Sequence, residues 1–323
     1  MVEDASQVIG WQGISISVPA DWSLTGFGGD ARSGSMRLDS ARADSKTVPI
    51  GLEVRWLQQK KTPNAQQIGQ RLKELLAAVE KTAKREKTTA ETWSGECVEN
   101  VAQERPAQLA FRWKAGSAAS GRIWYCATCG RVVIVQVYGR GGPRFLEHAT
   151  QILDSIGCHG TEIGWRSWAL YGLETSAPAT YTLSGQQVMN IYLQLSFRQE
   201  KAEETLSIEQ WSLANVQLKG QYLDEWFAVK AGSSLANVDY EKIEDEVAGH
   251  SALRMTGRRG GIIYWLSDGL RDLIRFRMPA TYYDALLWEC PESNKAYLVQ
   301  TFSRSSQQAL VRDIADRTRC HAG

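Results

Sequence analysis

The sequence is short of the features that mark several common function classes. No stretch approaches the ~20 consecutive apolar residues that cross a bilayer, so no membrane span is expected. Lys and Arg total 37 against 36 Asp and Glu, leaving no overall electrostatic pull toward nucleic acid or anionic lipid. There are only 4 histidines, His148, His159, His250 and His321, which leaves few ways to place a general base beside a nucleophile. A phosphate-binding glycine loop, a dinucleotide fingerprint, a His-Glu-x-x-His helix and an acidic calcium loop are all missing. The 6 cysteines in 323 residues are too few for a disulfide-dense scaffold. The opening Met1-Val-Glu-Asp-Ala-Ser-Gln7 has neither the basic start nor the apolar run of a signal peptide. A cytoplasmic protein is expected, or a periplasmic or secreted one if a leader has been removed.

What is present is ordinary globular composition, 43% hydrophobic and 23% charged, and an internal duplication. Trp124-Tyr-Cys126, Val135-Gln136, Arg140 and Cys158-His159 are matched by Trp288-Glu-Cys290, Val299-Gln300, Arg304 and Cys320-His321. The interval from Trp to Gln is the same in both sets. Gly10-Trp11 ahead of Pro19-Ala-Asp-Trp22 is echoed by Gly164-Trp165 ahead of Pro178-Ala-Thr-Tyr181. Two tandem copies of one domain, 1–160 and 161–323, are expected, because the period is far beyond the ~20–50 residues of solenoid units.

Within each copy, apolar/polar alternation predicts strands, as in Ile14-Ser-Ile16-Ser-Val18 and Leu52-Glu-Val54-Arg-Trp56. Helical spacing of Ile68, Leu72, Leu75, Leu76 and Val79 predicts an amphipathic helix between Pro63 and Arg85. In the second copy helices are expected near Leu218–Val229 and Ser305–Arg319. The expected class is α+β: two tandem repeats, each an antiparallel β-sheet packed with helices. The element order, with Val18-Pro19-Ala20-Asp21-Trp22 and its weaker echo Pro178-Ala179-Thr180-Tyr181, resembles the PsbP-like fold. That fold is shared by the photosystem II extrinsic protein, a yeast Ran-binding import factor and bacterial chaperones of type VI secretion effectors. The resemblance implies a domain that binds other proteins and lacks catalytic machinery.

If the last strand of a copy runs away from Cys126 and Cys129, the closing helix runs back and returns Cys158-His159 to them. Three readings of this cluster stand open. Zinc favours four thiolate or imidazole donors in a tetrahedron, which Cys126, Cys129, Cys158 and His159 offer. The second copy counts against this, because Ser293 stands near the position of Cys129 and leaves only Cys290, Cys320 and His321. Disulfides Cys126–Cys158 and Cys290–Cys320 would use only the cysteines common to both copies. Buried thiols packing a strand against a helix end are the plain alternative. Cys126-Ala-Thr-Cys129 also has redox-dithiol spacing, but it falls in a hairpin turn rather than at a helix N-terminus. His148 is expected to be solvated, and His250, in Gly249-His-Ser, to be a turn residue.

The second copy holds an insertion of about 20 residues, near 257–284, expected as a hairpin. Its Arg258, Arg259, Trp265, Arg271, Arg275 and Arg277 interleave cations with aromatics, the residue types of interface hot spots and single-strand platforms. No catalytic residue and no required cofactor are assigned. The expected function is a non-enzymatic protein-binding adaptor, chaperone or assembly subunit. The alternatives are a zinc protein with a structural or catalytic Cys/His site, and single-stranded nucleic-acid binding through the insertion.

Overall fold

The computed structural model describes residues 6–41, 49–96, 107–160, 162–199, 201, 203–232, 235, 237–259 and 282–321. Cys97, Trp265, Arg271, Arg275 and Arg277 lie outside them. The chain divides into two compact units, Met1–Leu170 and Tyr171–Gly323. The first takes in the strand from Trp165 that the sequence repeat would give to the second copy.

The first unit opens with a hairpin of β1 (Ser6–Trp11) and β2 (Ile14–Pro19). Its two loop residues, Gln12 and Gly13, have φ of 56° and 83°, the left-handed pair that matches the twist of the flanking strands. β10 (Trp165–Leu170) pairs with β1 at Gly10 and Ala169. A seven-stranded antiparallel sheet follows, in the order β3-β4-β5-β9-β8-β7-β6. Its strands are β3 (Trp22–Gly29), β4 (Ser33–Ser40), β5 (Gly51–Gln58), β6 (Glu91–Glu96), β7 (Ala107–Ala115), β8 (Ser117–Cys126) and β9 (Arg131–Gly139).

Helix α1 (Ala65–Arg85) starts with a reciprocal capping box. Asn64 Oδ1 accepts from the Gln67 N–H at 2.9 Å, and the Asn64 N–H donates to Gln67 Oε1 at 2.9 Å, which satisfies two otherwise orphaned donors. Ile68, Leu72 and Leu76 of α1 bury against Phe111, Ile123, Tyr125 and Val132. Side chains alternate along a strand, so Arg122, Trp124 and Cys126 of β8 face the opposite way. There they meet α2 (Pro143–Asp154), and Arg122 donates to the Leu153 carbonyl and the Asp154 carboxylate. Trp124 and Cys126 are fully buried on that side.

The second unit starts with β11 (Leu173–Pro178). Its seven-stranded sheet has the order β12-β13-β14-β18-β17-β16-β15, the same permutation as in the first unit. The strands are β12 (Thr182–Met189), β13 (Tyr192–Gln199), β14 (Glu204–Ser212), β15 (Val238–Val247), β16 (His250–Arg259), β17 (Tyr282–Cys290) and β18 (Lys295–Ser303). Tyr283, Ala285 and Leu287 of β17 join the core under α3 (Ala214–Leu218) and α4 (Leu223–Ala231). The alternate positions Asp284, Trp288 and Cys290 are also buried; Asp284 accepts from the Gln307 N–H at 2.7 Å, just ahead of α5 (Gln308–Asp316).

Three expectations are corrected. Among the described residues antiparallel sheet dominates, in three sheets with few helices, so the α+β, PsbP-like class of helix-packed repeats does not describe the chain. Strands also form where no alternation marks them: β12 is exposed at nearly every position, and β3 runs through the glycines Gly26, Gly28 and Gly29. The single helix expected over Leu218–Val229 is two short helices, because Lys219 and Gly220 both take positive φ (51° and 76°) and break it. The inserted hairpin near 257–284 lies mostly outside the described residues; Arg258 and Arg259 are the last residues of β16.

Candidate metal centre

In the first unit the end of β8, the loop after it and the segment after α2 converge. Cys126 and Arg131 are paired across the loop, and Gly130, at φ 65°, closes it with its N–H on the Cys126 carbonyl at 2.9 Å. That turn folds Cys129 back toward Cys126. Past α2, Gly157 forms a bridge with Ser15 of β2, which fixes the backbone immediately before Cys158 and His159. The result is that one donor atom from each of Cys126, Cys129, Cys158 and His159 lies within 4.8 Å of the other three.

The separations have the size a metal requires. Zinc bound tetrahedrally, with Zn–S near 2.3 Å and Zn–N near 2.0–2.1 Å, sets ligand edges of about 3.8 Å for S···S, about 3.5 Å for S···N and about 3.3 Å for N···N. Cys129 Sγ and Cys158 Sγ are 3.9 Å apart. His159 Nδ1 is 3.6 Å from Cys126 Sγ and 3.5 Å from Cys158 Sγ. The cysteines are free thiols.

The three thiols of the cluster compete for ionisation. The thiols hydrogen-bond one another: Cys126 is drawn below the ordinary thiol range chiefly by Cys129 and Cys158, and those two are pushed up chiefly by Cys126. Three crowded thiols therefore do not all ionise on their own, whereas a metal ion deprotonates them together. The backbone N–H groups of Cys129 and Arg131 favour the thiolate forms of Cys126 and Cys129 respectively, as outer hydrogen bonds to thiolate ligands do. The Arg131 guanidinium is buried and donates to the Gln12 carbonyl at 2.9 Å. Burial draws it below its ordinary value, opposed by the nearby Cys129, Cys158 and Cys126.

The second unit builds a matching cluster from His250, Cys290, Cys320 and His321. His250 is not in a turn: the turn is Ala248 and Gly249, at φ 51° and 81°, and His250 is the first residue of β16, opposite Val247. Spacing alone did not reveal it, because it is 71 residues from His321 and comes from a different strand than its counterpart. His148 also departs from expectation. It lines a pocket of about 380 Å³ with Ser17, Trp22, Ser40 and Ile152, and its Nδ1 is buried without a hydrogen-bond partner among the described residues. Arg258 stacks on the Tyr282 ring at 4.5 Å and Arg259 lies over Phe302 at 4.2 Å, so both heads are engaged within the sheet.

No family model matches the chain, and no curated protein matches it. Among solved structures, it is similar to the immunity protein TplEi of T6SS from Pseudomonas aeruginosa complexed with "L" peptide, at 10% identity, 98% of this chain and 97% of that one, and a TM-score of 0.32. The apo structure of the same protein matches at 9% identity, covering 97% and 96%, with the same TM-score of 0.32. The WD40 domain of SCAP from fission yeast matches at 8% identity, over 93% and 84%, with a TM-score of 0.12. At these TM-scores the likeness is too loose to carry a functional assignment.

Proposed function

We propose that the chain is a non-enzymatic zinc-stapled β-scaffold, with one structural zinc ion in the first unit held by Cys126, Cys129, Cys158 and His159. The observation that carries this is the convergence of four donor atoms within 4.8 Å, at separations that fit the edges of a zinc tetrahedron. Four protein donors leave no open position for water or substrate, which is the mark of a structural rather than a catalytic site. The ion ties the segment after α2 to the end of β8 and the loop behind it. A Cys126–Cys158 disulfide would use two of these donors and give Cys129 and His159 no reason to converge. The test is zinc content of the full chain purified without chelator. Cys129→Ser is expected to lose one ion per chain; wild-type protein free of metal and carrying a disulfide instead would contradict the reading.

A second reading concerns what the scaffold does, and we infer that it binds another protein. Tyr222 and Val229, seven positions apart and so on one side of α4, are 78% and 80% exposed; one exposed apolar side chain is ordinary, whereas two on the same side of a helix offer a partner a shared apolar contact. A photo-crosslinker at position 229 is expected to trap one protein stoichiometrically in the native host. Adducts no different from those formed at the exposed, polar Glu80 would count against it.

A further inference from the structure

We propose that the second unit holds its own zinc ion through His250, Cys290, Cys320 and His321, with His250 taking the part that Cys129 takes in the first unit. This extends the zinc reading but rests on a separate set of atoms. His321 Nδ1 lies 3.4 Å from Cys290 Sγ, 3.2 Å from Cys320 Sγ and 3.2 Å from His250 Nε2. Those values suit tetrahedral edges of about 3.5 Å for S···N and about 3.3 Å for N···N.

The fourth donor arrives by a different route. The hairpin loop from Cys290 to Lys295 is as long as that from Cys126 to Arg131, but its third position after the cysteine is Ser293, a poor zinc ligand. β16 runs beside β17 with Ala252 opposite Trp288, and the same register brings His250 to the end of β17 where Cys290 sits. The side chain of His250 is only 10% exposed, and its Nε2 lies nearer to His321 Nδ1, at 3.2 Å, than to the Glu292 carboxylate, at 3.7 Å. Packing of thiols against a helix end needs no fourth donor, and a Cys290–Cys320 disulfide needs no histidine. A metal with four vertices needs both.

The neighbouring groups also follow the change of ligands. Zinc with three thiolates and one imidazole leaves a net negative charge, and Arg131 is buried beside those sulfurs. Zinc with two thiolates and two imidazoles is neutral. The residue equivalent to Arg131 is Lys295, which donates to the Gly172 carbonyl at 2.7 Å and feels only Cys290 among the cysteines.

The experiment is native mass spectrometry of the full chain, expressed with zinc and purified without chelator. Wild type is expected to carry two zinc ions, His250→Ala one, Cys129→Ser one, and His250→Ala combined with Ser293→Cys two again, since the new thiol restores the pattern of the first unit. Wild type with a single ion that survives His250→Ala and disappears in Cys129→Ser would overturn this proposal and leave the first site standing. A single ion with the opposite behaviour would support it and overturn the first site, and a metal-free chain would overturn both. Should His250→Ala aggregate, His250→Cys keeps a donor at the vertex and is expected to fold with two ions; one ion in that variant counts against the proposal.

Discussion

The two units share a strand order and a closing segment but differ in how the fourth donor reaches the cluster. The constant parts are the cysteine at the end of β8 or β17 and the Cys-His pair after the last helix. In both units the residue before that pair bridges to an early strand, Gly157 to Ser15 and Arg319 to Glu174. In both, a cation at the start of the last strand donates to the carbonyl of a left-handed hairpin turn, Arg131 to Gln12 and Lys295 to Gly172. The variable part is Cys129 from the adjoining loop against His250 from the neighbouring strand. What the fold retains is a converging set of donors rather than a sequence motif.

The largest effect is expected from taking the metal away from both units. Structural zinc is worth about 10–16 kcal/mol in domains that do not fold without it; here each sheet has its own core, so a smaller loss is expected. A fall of roughly 10 °C in melting temperature, about 4 kcal/mol for units of this size, should appear in calorimetry after treatment with a strong chelator and be reversed by zinc.

Next come the paired tryptophans. Trp124 and Trp288 are both fully buried on the cluster side of their sheets, and Trp288 stacks on Tyr297 at 5.2 Å. Trp124→Ala and Trp288→Ala should each cost about 3–5 kcal/mol in denaturant unfolding, and a cost confined to one of them would show that the units are not built alike.

A sharper contrast is expected at the cations. Arg131→Met should weaken zinc at the first site about 10–100-fold, the usual cost of losing an outer-shell partner, while Lys295→Met should change the second site by less than that; competition with a chromophoric chelator reads both. The smallest effect lies at the helices. Asn64→Ala removes the capping box of α1 and should cost about 1 kcal/mol, whereas Tyr222→Ala ahead of α4, which has no side-chain cap, should leave that helix terminus unchanged within the error of the same measurement.

Much of this was legible in the sequence, and the parts that were not have physical reasons. Cys126, Cys129, Cys158 and His159 were placed together by one topological step, a strand leaving and a helix returning. His250 escaped because its proximity depends on the register of β16 on β17, which no local pattern records. The fold class differs from expectation because edge strands such as β12 show no buried face to alternate against, and because glycines interrupt the alternation in the second half of β3. The amphipathic α1 was legible from its periodicity, while its counterpart in the second unit was broken by backbone conformation at Lys219 and Gly220.

X-ray absorption at the zinc edge of the full chain as purified reads the ligands of both clusters at once. The expected result is a four-coordinate shell with sulfur near 2.3 Å and nitrogen near 2.0–2.1 Å, in the ratio of five cysteine sulfurs to three imidazoles set by the two clusters. A shell of oxygen and nitrogen alone, or a chain without zinc whose mass rises by two or four hydrogens on reduction, would contradict it.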